Sequence, residues 1–255
     1  MEHCPQLGWE GWFEIRTSEI GYGKALTLPA LVQLMDEGAM QNVLELGLSV
    51  WDLEPLAVSW VCLRKHLEVQ RLPLLGEKLR ILTYPAGFEP PYTFRDYRAF
   101  DEQGTCIAWA SSAWTLLNTR TRRLAPLPDF IRALEKDMPP PQHRLPRPPK
   151  RKPPTFPLTP TRSFRIGWFD LDFNSHLNNV HYLRMVLEAF DADFLRTHRL
   201  ESLDLTYKLE GEWGEVISSE VGVLGKGHFA HGLRRRSDEK VLAFGESRWI
   251  PQENP

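Results

Sequence analysis

Two stretches of the chain repeat apolar residues at steps of three and four. Val32, Met35, Ala39, Val43 and Leu46 trace one stripe; Val180, Leu183, Leu187, Phe190 and Phe194 trace another. Such a stripe is the core-facing side of an amphipathic helix. The first helix is expected from a Thr27 cap to about Leu46, stopped by Gly47, and the second over 179–196. Trp12 to Ile20 reads as a strand. So do 58–70, 78–86, 92–101 and 105–118, with Asp101-Glu102-Gln103-Gly104 as a hairpin signal. Further strands are expected over 202–210, 214–224, 228–236 and 240–250.

Each half of the chain therefore runs strand, helix, then several strands. Local matches follow the same order. Glu19-Ile20-Gly21 precedes the first helix as Asp170-Leu171-Asp172 precedes the second, an offset of 151. Leu67-Glu68-Val69 with Gly76-Glu77 resembles Leu205-Thr206-Tyr207 with Gly214-Glu215. Ala110-Ser111-Ser112-Ala113-Trp114 resembles Gly245-Glu246-Ser247-Arg248-Trp249, at an offset of 135. Three matches in one order argue for duplication, with insertions and deletions between elements. The fold class is α+β: one long helix packed on an antiparallel sheet, used twice.

Many of the 21 prolines lie in PPPQHRLPRPPKRKPPTFPLTP, from Pro139 to Pro160. Proline neither continues a helix nor donates to a ladder, so this is an extended linker. Three segments follow: 1–136, a first repeat; 137–160, a proline-rich linker; and 161–255, a second repeat. At 255 residues with 42% hydrophobic and 25% charged, the chain can bury a core without disulfides or a structural metal.

Charge narrows the partners. The formal net charge is -2, so no global basic field points to nucleic acid. No apolar run approaches the roughly 20 residues of a membrane span. No basic, apolar leader precedes the first strand, and a cytoplasmic location is expected. Cys4, Cys62 and Cys106 are odd in number and widely spaced, as reduced thiols are. His176 and His181, five apart, do not share a helix face as a metal pair would. No metal and no cofactor is expected.

The densest polar cluster runs from Asp170 to Tyr182, between a strand and the second helix. By composition it reads as a capped loop, since Asn174, Ser175, Asn178 and Asn179 all favour caps and turns. The duplication gives a second reading. At the offset of 151, Asp172, Asn174 and His176 fall on Gly21, Gly23 and Ala25. A polar set carried by one half only fits a site present once.

The string Asp172-Phe173-Asn174-Ser175-His176-Leu177-Asn178-Asn179-Val180-His181-Tyr182 resembles the D-x-N-x-H-x-N-N-x-x-Y signature of acyl-acyl-carrier-protein thioesterases of plants and bacteria. Phe13-Glu14-Ile15-Arg16, Ala110 to Trp114, Thr121-Arg122-Arg123-Leu124 and Leu205 to Glu210 also resemble stretches of that family, so the likeness runs along most of the chain. The resemblance implies two fused hotdog repeats, an acyl-chain pocket in the first and catalysis in the second. It implies hydrolysis of a fatty acyl thioester on acyl carrier protein, with Asp172, Asn174, His176 and Glu210 catalytic. The family carries a cysteine after that glutamate; here the residue is Gly211, so attack by water is expected instead. Plant members begin with a plastid transit peptide, which is not seen here.

This chemistry suits the residues. Asp172 or Glu210 can deprotonate water, His176 can orient it or protonate the thiolate, and Asn174 can hold the water or the carbonyl. The helix head at Asn178 and Asn179 offers N–H groups to an oxyanion. Glu210 can equally be a surface carboxylate in the charged segment Lys208 to Glu215. Met35, with Met40 and Val43, is expected to line an acyl tunnel. Basic runs at Arg120-Arg122-Arg123, Arg144 to Lys152 and Arg234 to Arg236 are solvated faces or docking points for an acidic carrier protein; Arg122 and Arg123 are preferred for docking. The alternatives are an acyl-CoA thioesterase, a non-catalytic acyl-binding protein and a hotdog dehydratase, and a homo-oligomer is open.

Overall fold

A computed structural model describes residues 3–252. The chain divides into two compact units, the first ending at Pro148 and the second starting at Pro149.

In the first unit, β1 (Trp9–Glu14) precedes α1 (Leu28–Glu45), and the one-turn helix α2 (Val50–Leu53) follows. Then come β2 (Val58–Val69), β3 (Lys78–Glu89), β4 (Tyr92–Phe100), β5 (Cys106–Asn118) and the short β6 (Leu124–Ala125). A second one-turn helix, α3 (Asp129–Arg132), closes the set. The sheet order is β1-β3-β4-β5-β2, all antiparallel. Helix α1 starts where expected, because Thr27 Oγ1 accepts the Ala30 N–H at 3.2 Å. Its buried face carries Leu31, Val32, Leu34, Met35, Gly38 and Asn42.

The second unit runs β7 (Thr159–Arg165), α4 (Asn179–Leu187), α5 (Ala192–Thr197), β8 (His198–Tyr207), β9 (Val216–Gly225), β10 (His228–Arg235) and β11 (Val241–Pro251). Its antiparallel order, β7-β9-β10-β11-β8, repeats that of the first unit strand for strand.

Three expectations need correction. The strand read over Trp12 to Ile20 stops at Glu14. Beyond it the Glu19 carboxylate accepts the Arg16 N–H at 2.9 Å and folds the chain into a turn. The helix read over 179–196 breaks after Leu187. Asp191 caps a new helix by accepting the Phe194 N–H at 2.8 Å, and Phe190 and Phe194 stack at 4.4 Å beside Phe229 and Trp249. Packing these rings outweighs one more helical turn. The basic linker, thirdly, is tied down at several points, although Lys150 and Lys152 stay exposed. Leu145 N–H donates to buried Asp96 at 2.7 Å and Ser111 Oγ to Pro146 O at 2.7 Å, while Arg147 lies 4.0 Å over the Phe94 ring. On the other side of the division, Arg151 pairs with Asp204 at 2.7 Å and Glu246 at 3.2 Å.

Candidate active site

The loops before α1 and α4 are built on the same hydrogen bonds. Gly21 N–H donates to Ala25 O at 3.0 Å, as Asp172 N–H donates to His176 O at 2.8 Å. Ile20 bridges Leu26, as Leu171 bridges Leu177. Lys24 and Ser175 both take a left-handed φ, 61° and 63°. Each loop is tied to the connection before the next strand: Leu26 N–H to Pro73 O at 2.8 Å, and Leu177 N–H to Gly211 O at 2.8 Å. The duplication thus extends to individual backbone bonds, and the first unit serves as an internal control. On this shared frame Asp172, Asn174, His176 and Glu210 stand where the first unit has Gly21, Gly23, Ala25 and Leu72. In the first unit the same backbone bonds form without polar side chains at these positions, two of which are glycine.

Within the second unit, His176 Nε2 lies 3.4 Å from Glu210 Oε2, both partly exposed. The two residues come from different segments, the loop before α4 and the end of the β8 connection. Asp172 Oδ1 accepts the backbone N–H of Asn174 at 2.8 Å and of His176 at 3.2 Å. That carboxylate therefore orients the loop carrying the other two residues, while Asn174 is exposed to solvent. Asn178 caps α4: its Oδ1 accepts Val180 N–H at 3.0 Å, as Thr27 caps α1. Asn179 is the first helical residue.

Tyr182, quoted above only as the end of the motif, holds Glu210 in place. Its hydroxyl donates to Leu209 O at 3.0 Å and accepts from Gly211 N–H at 2.9 Å, bracketing Glu210 on both sides. Burial pushes its ionisation well above that of a free phenol, so the hydroxyl keeps its proton. The counterpart in the first unit is Leu31, which pairs with the absence of a glutamate at Leu72. That linked difference was the available signal. Nearby, His181 Nδ1 and Arg184 each lie 3.6 Å from Asp170, and burial lowers the His181 pKa.

Gly211 is itself buried. A Cβ there would come within 2.8 Å of Ile166 Cδ1 and 3.2 Å of Leu177 Cβ, so a cysteine would displace packed side chains. Cys62 is buried, which pushes its thiol up to about 12. Met35 is buried on α1. Arg122 and Arg123 are exposed on the turn between β5 and β6 in the first unit. No group of three or more His, Cys, Asp or Glu among the described residues has the geometry to hold a metal ion, and no described helix is long and apolar enough to cross a membrane.

Comparison with known proteins agrees with this division. Residues 7–134 match the family described as acyl-ACP thioesterase N-terminal domain, and residues 159–250 match its C-terminal domain. A chloroplastic palmitoyl-acyl carrier protein thioesterase of Cuphea hookeriana is 30% identical over 94% of this chain and 61% of its own length. A chloroplastic oleoyl-acyl carrier protein thioesterase 2 of Arabidopsis thaliana is 28% identical over 93% of this chain and 75% of its own. The chain thus spans between about three fifths and three quarters of these relatives. Among solved structures, the 12:0-ACP thioesterase from Umbellularia californica superimposes with a TM-score of 0.84 at 22% identity, covering 98% of this chain and 100% of that one. An acyl-ACP thioesterase from Bacteroides thetaiotaomicron gives 0.82 at 20% identity, covering 96% and 98%. These likenesses carry the fold, which is the hotdog fold.

Proposed function

Because the chain belongs to the acyl-ACP thioesterase family, we propose that it hydrolyses the thioester of a fatty acyl group on acyl carrier protein, releasing the free acid and the carrier thiol. The observation that carries this reading is the His176–Glu210 pair at 3.4 Å, set on a loop whose twin in the first unit lacks both partners.

The reaction adds one water across the C–S bond. Glu210, partnered by His176, takes a proton from water as its oxygen attacks the acyl carbon. The carbonyl oxygen gains negative charge. Donors for it are the Asn174 carboxamide and the Asn179 N–H at the positive head of α4. The C–S bond then breaks, and the thiolate takes the proton now held by the Glu210–His176 pair. Asp172 keeps the loop in register through its bonds to the N–H groups of Asn174 and His176. Closed packing around Gly211 supports direct attack by water rather than an acyl-cysteine. The acyl chain would lie in the first unit, with Met35 among its candidate neighbours, and a cytoplasmic location suits three free cysteines.

The test is thiol release from a panel of acyl-carrier-protein and acyl-CoA thioesters of varied chain length. Turnover on the carrier-protein substrates is expected, at higher kcat/KM than on acyl-CoA. Higher kcat/KM on acyl-CoA would move the assignment to that substrate class. Binding without release on either would make this a non-catalytic acyl-binding protein.

A further inference from the structure

The turn before the polar loop carries exposed aromatic residues that its twin lacks. In the second unit Gly167 to Asp170 forms a tight turn, closed by the Asp170 carboxylate on Gly167 N–H at 2.8 Å. It presents Trp168, 66% exposed, and Phe169, 94% exposed. In the first unit the same turn is closed by Glu19 on Arg16 N–H, and the corresponding residues are exposed Thr17 and Ser18. Trp213, 67% exposed, meets Trp168 edge to face at 6.4 Å between ring centres; its counterpart is Leu75. Phe173, beside Asp172, is 64% exposed, and here the first unit also has an exposed ring, Tyr22.

The turn folds without aromatics, so folding does not require them. Leaving two indoles and a phenyl ring in water forgoes burial at about 25 cal/mol per Å². Exposed clusters of this kind mark interaction surfaces. Tryptophan, phenylalanine and arginine are enriched in such surfaces. Charge indicates the partner. Arg165 pairs across the sheet with Val216, and Arg236 N–H donates to Val216 O, so two exposed arginines flank the sheet end from which the aromatic turns emerge. Two nearby acids are engaged within the unit: Asp170 closes its turn, and Glu215 pairs with Arg235 at 2.8 Å; Glu212, beside Trp213, is exposed at the edge of the surface. Trp168 and Phe169 stand four and three residues before Asp172, and Trp213 three after Glu210.

We propose that Trp168, Phe169 and Trp213, flanked by Arg165 and Arg236, form the docking surface for the acidic acyl carrier protein, next to the site that receives its thioester. This rests on the thioesterase reading but is read out separately from it. The aromatic rings supply the desolvated centre of the contact, and the arginines steer an acidic partner to it.

The experiment measures binding of holo acyl carrier protein, carrying no acyl group, by fluorescence anisotropy at low salt. The proteins compared are the full chain, Phe169→Ser/Trp213→Ser, and Arg165→Glu/Arg236→Glu, with far-UV circular dichroism and melting temperature checking the fold. Because the changed side chains are exposed, both variants are expected to fold. Each should weaken carrier binding at least tenfold. Each should also lower the ratio of kcat/KM on acyl carrier protein to kcat/KM on the same acyl chain carried by N-acetylcysteamine. Carrier binding by both variants within twofold of the parent overturns the proposal. So does loss of a dimer by light scattering in the aromatic variant with carrier binding retained, which would make this face a contact between copies. Carrier binding with no hydrolysis of any thioester would leave the surface standing and refute the thioesterase reading.

Discussion

Replacing Tyr182 by Phe removes one hydroxyl and two hydrogen bonds, to Leu209 O and from Gly211 N–H. A net hydrogen bond is worth about 0.5–1.5 kcal/mol, and a buried group left bare costs about 1–3 kcal/mol. Because Gly211 is buried, the expected loss of stability is about 2–3 kcal/mol. The kinetic effect should be larger than this suggests. With its bracket gone, the segment Leu209–Gly211 relaxes and Glu210 drifts from His176. A misplacement of about 1 Å can cost about 10²-fold in rate, so kcat should fall about 10- to 100-fold. KM should stay within about threefold, because Tyr182 is buried and its hydroxyl is committed to Leu209 O and Gly211 N–H. Steady-state thiol release gives both constants, and a urea melt gives the stability. A double-mutant cycle separates positioning from general weakening: Tyr182→Phe/Glu210→Gln should be no slower than Glu210→Gln alone. A Tyr182→Phe protein with lowered stability and kcat within twofold of the parent would refute the positioning role.

Other outcomes follow from the same structure. Asp96 is fully buried, and burial raises its carboxyl to about 6, against the Leu145 N–H and nearby arginines that lower it. A raised carboxyl stabilises the fold below about pH 4 and loses that contribution as pH rises through 6. Asp96→Asn should therefore gain on the parent between pH 4 and 7, by at most about 3 kcal/mol at 1.36 kcal/mol per pKa unit; a pH-independent difference in urea melts would contradict this. Iodoacetamide should leave hydrolysis intact, since Gly211 has no thiol and Cys62 is buried with its pKa pushed up to about 12; rapid, substrate-protected inactivation would refute attack by water. Arg122→Glu/Arg123→Glu should raise KM for acyl carrier protein with little change in kcat, an effect fading toward about 0.5 M salt; an unchanged KM at low salt removes that turn from docking.

The helical stripes and the order of elements were legible in the sequence because each is a local pattern, and the repeats could be aligned for the same reason. The polar set was legible from one comparison, Asp172, Asn174 and His176 against Gly21, Gly23 and Ala25. What escaped depends on contacts between distant residues. Tyr182 acts on Gly211, 29 residues away, and its role needs the geometry of both. Arg147 covers Phe94 and pairs with Glu89 at 3.2 Å, so a run that reads as a solvated spacer is a strap on the first unit. The break between α4 and α5 reflects the aromatic cluster around Phe190 and Phe194, which helical periodicity alone does not distinguish from one continuous helix.

Thiol release from a fatty acyl carrier protein by the parent chain and by Glu210→Gln tests the central claim most directly. The change keeps the size of the side chain and removes its charge and its capacity to take a proton. The parent should turn over, and Glu210→Gln should lose at least about 10²-fold in kcat, with KM and melting temperature nearly unchanged. Turnover by Glu210→Gln at the parental rate, or none by the parent, would contradict the account.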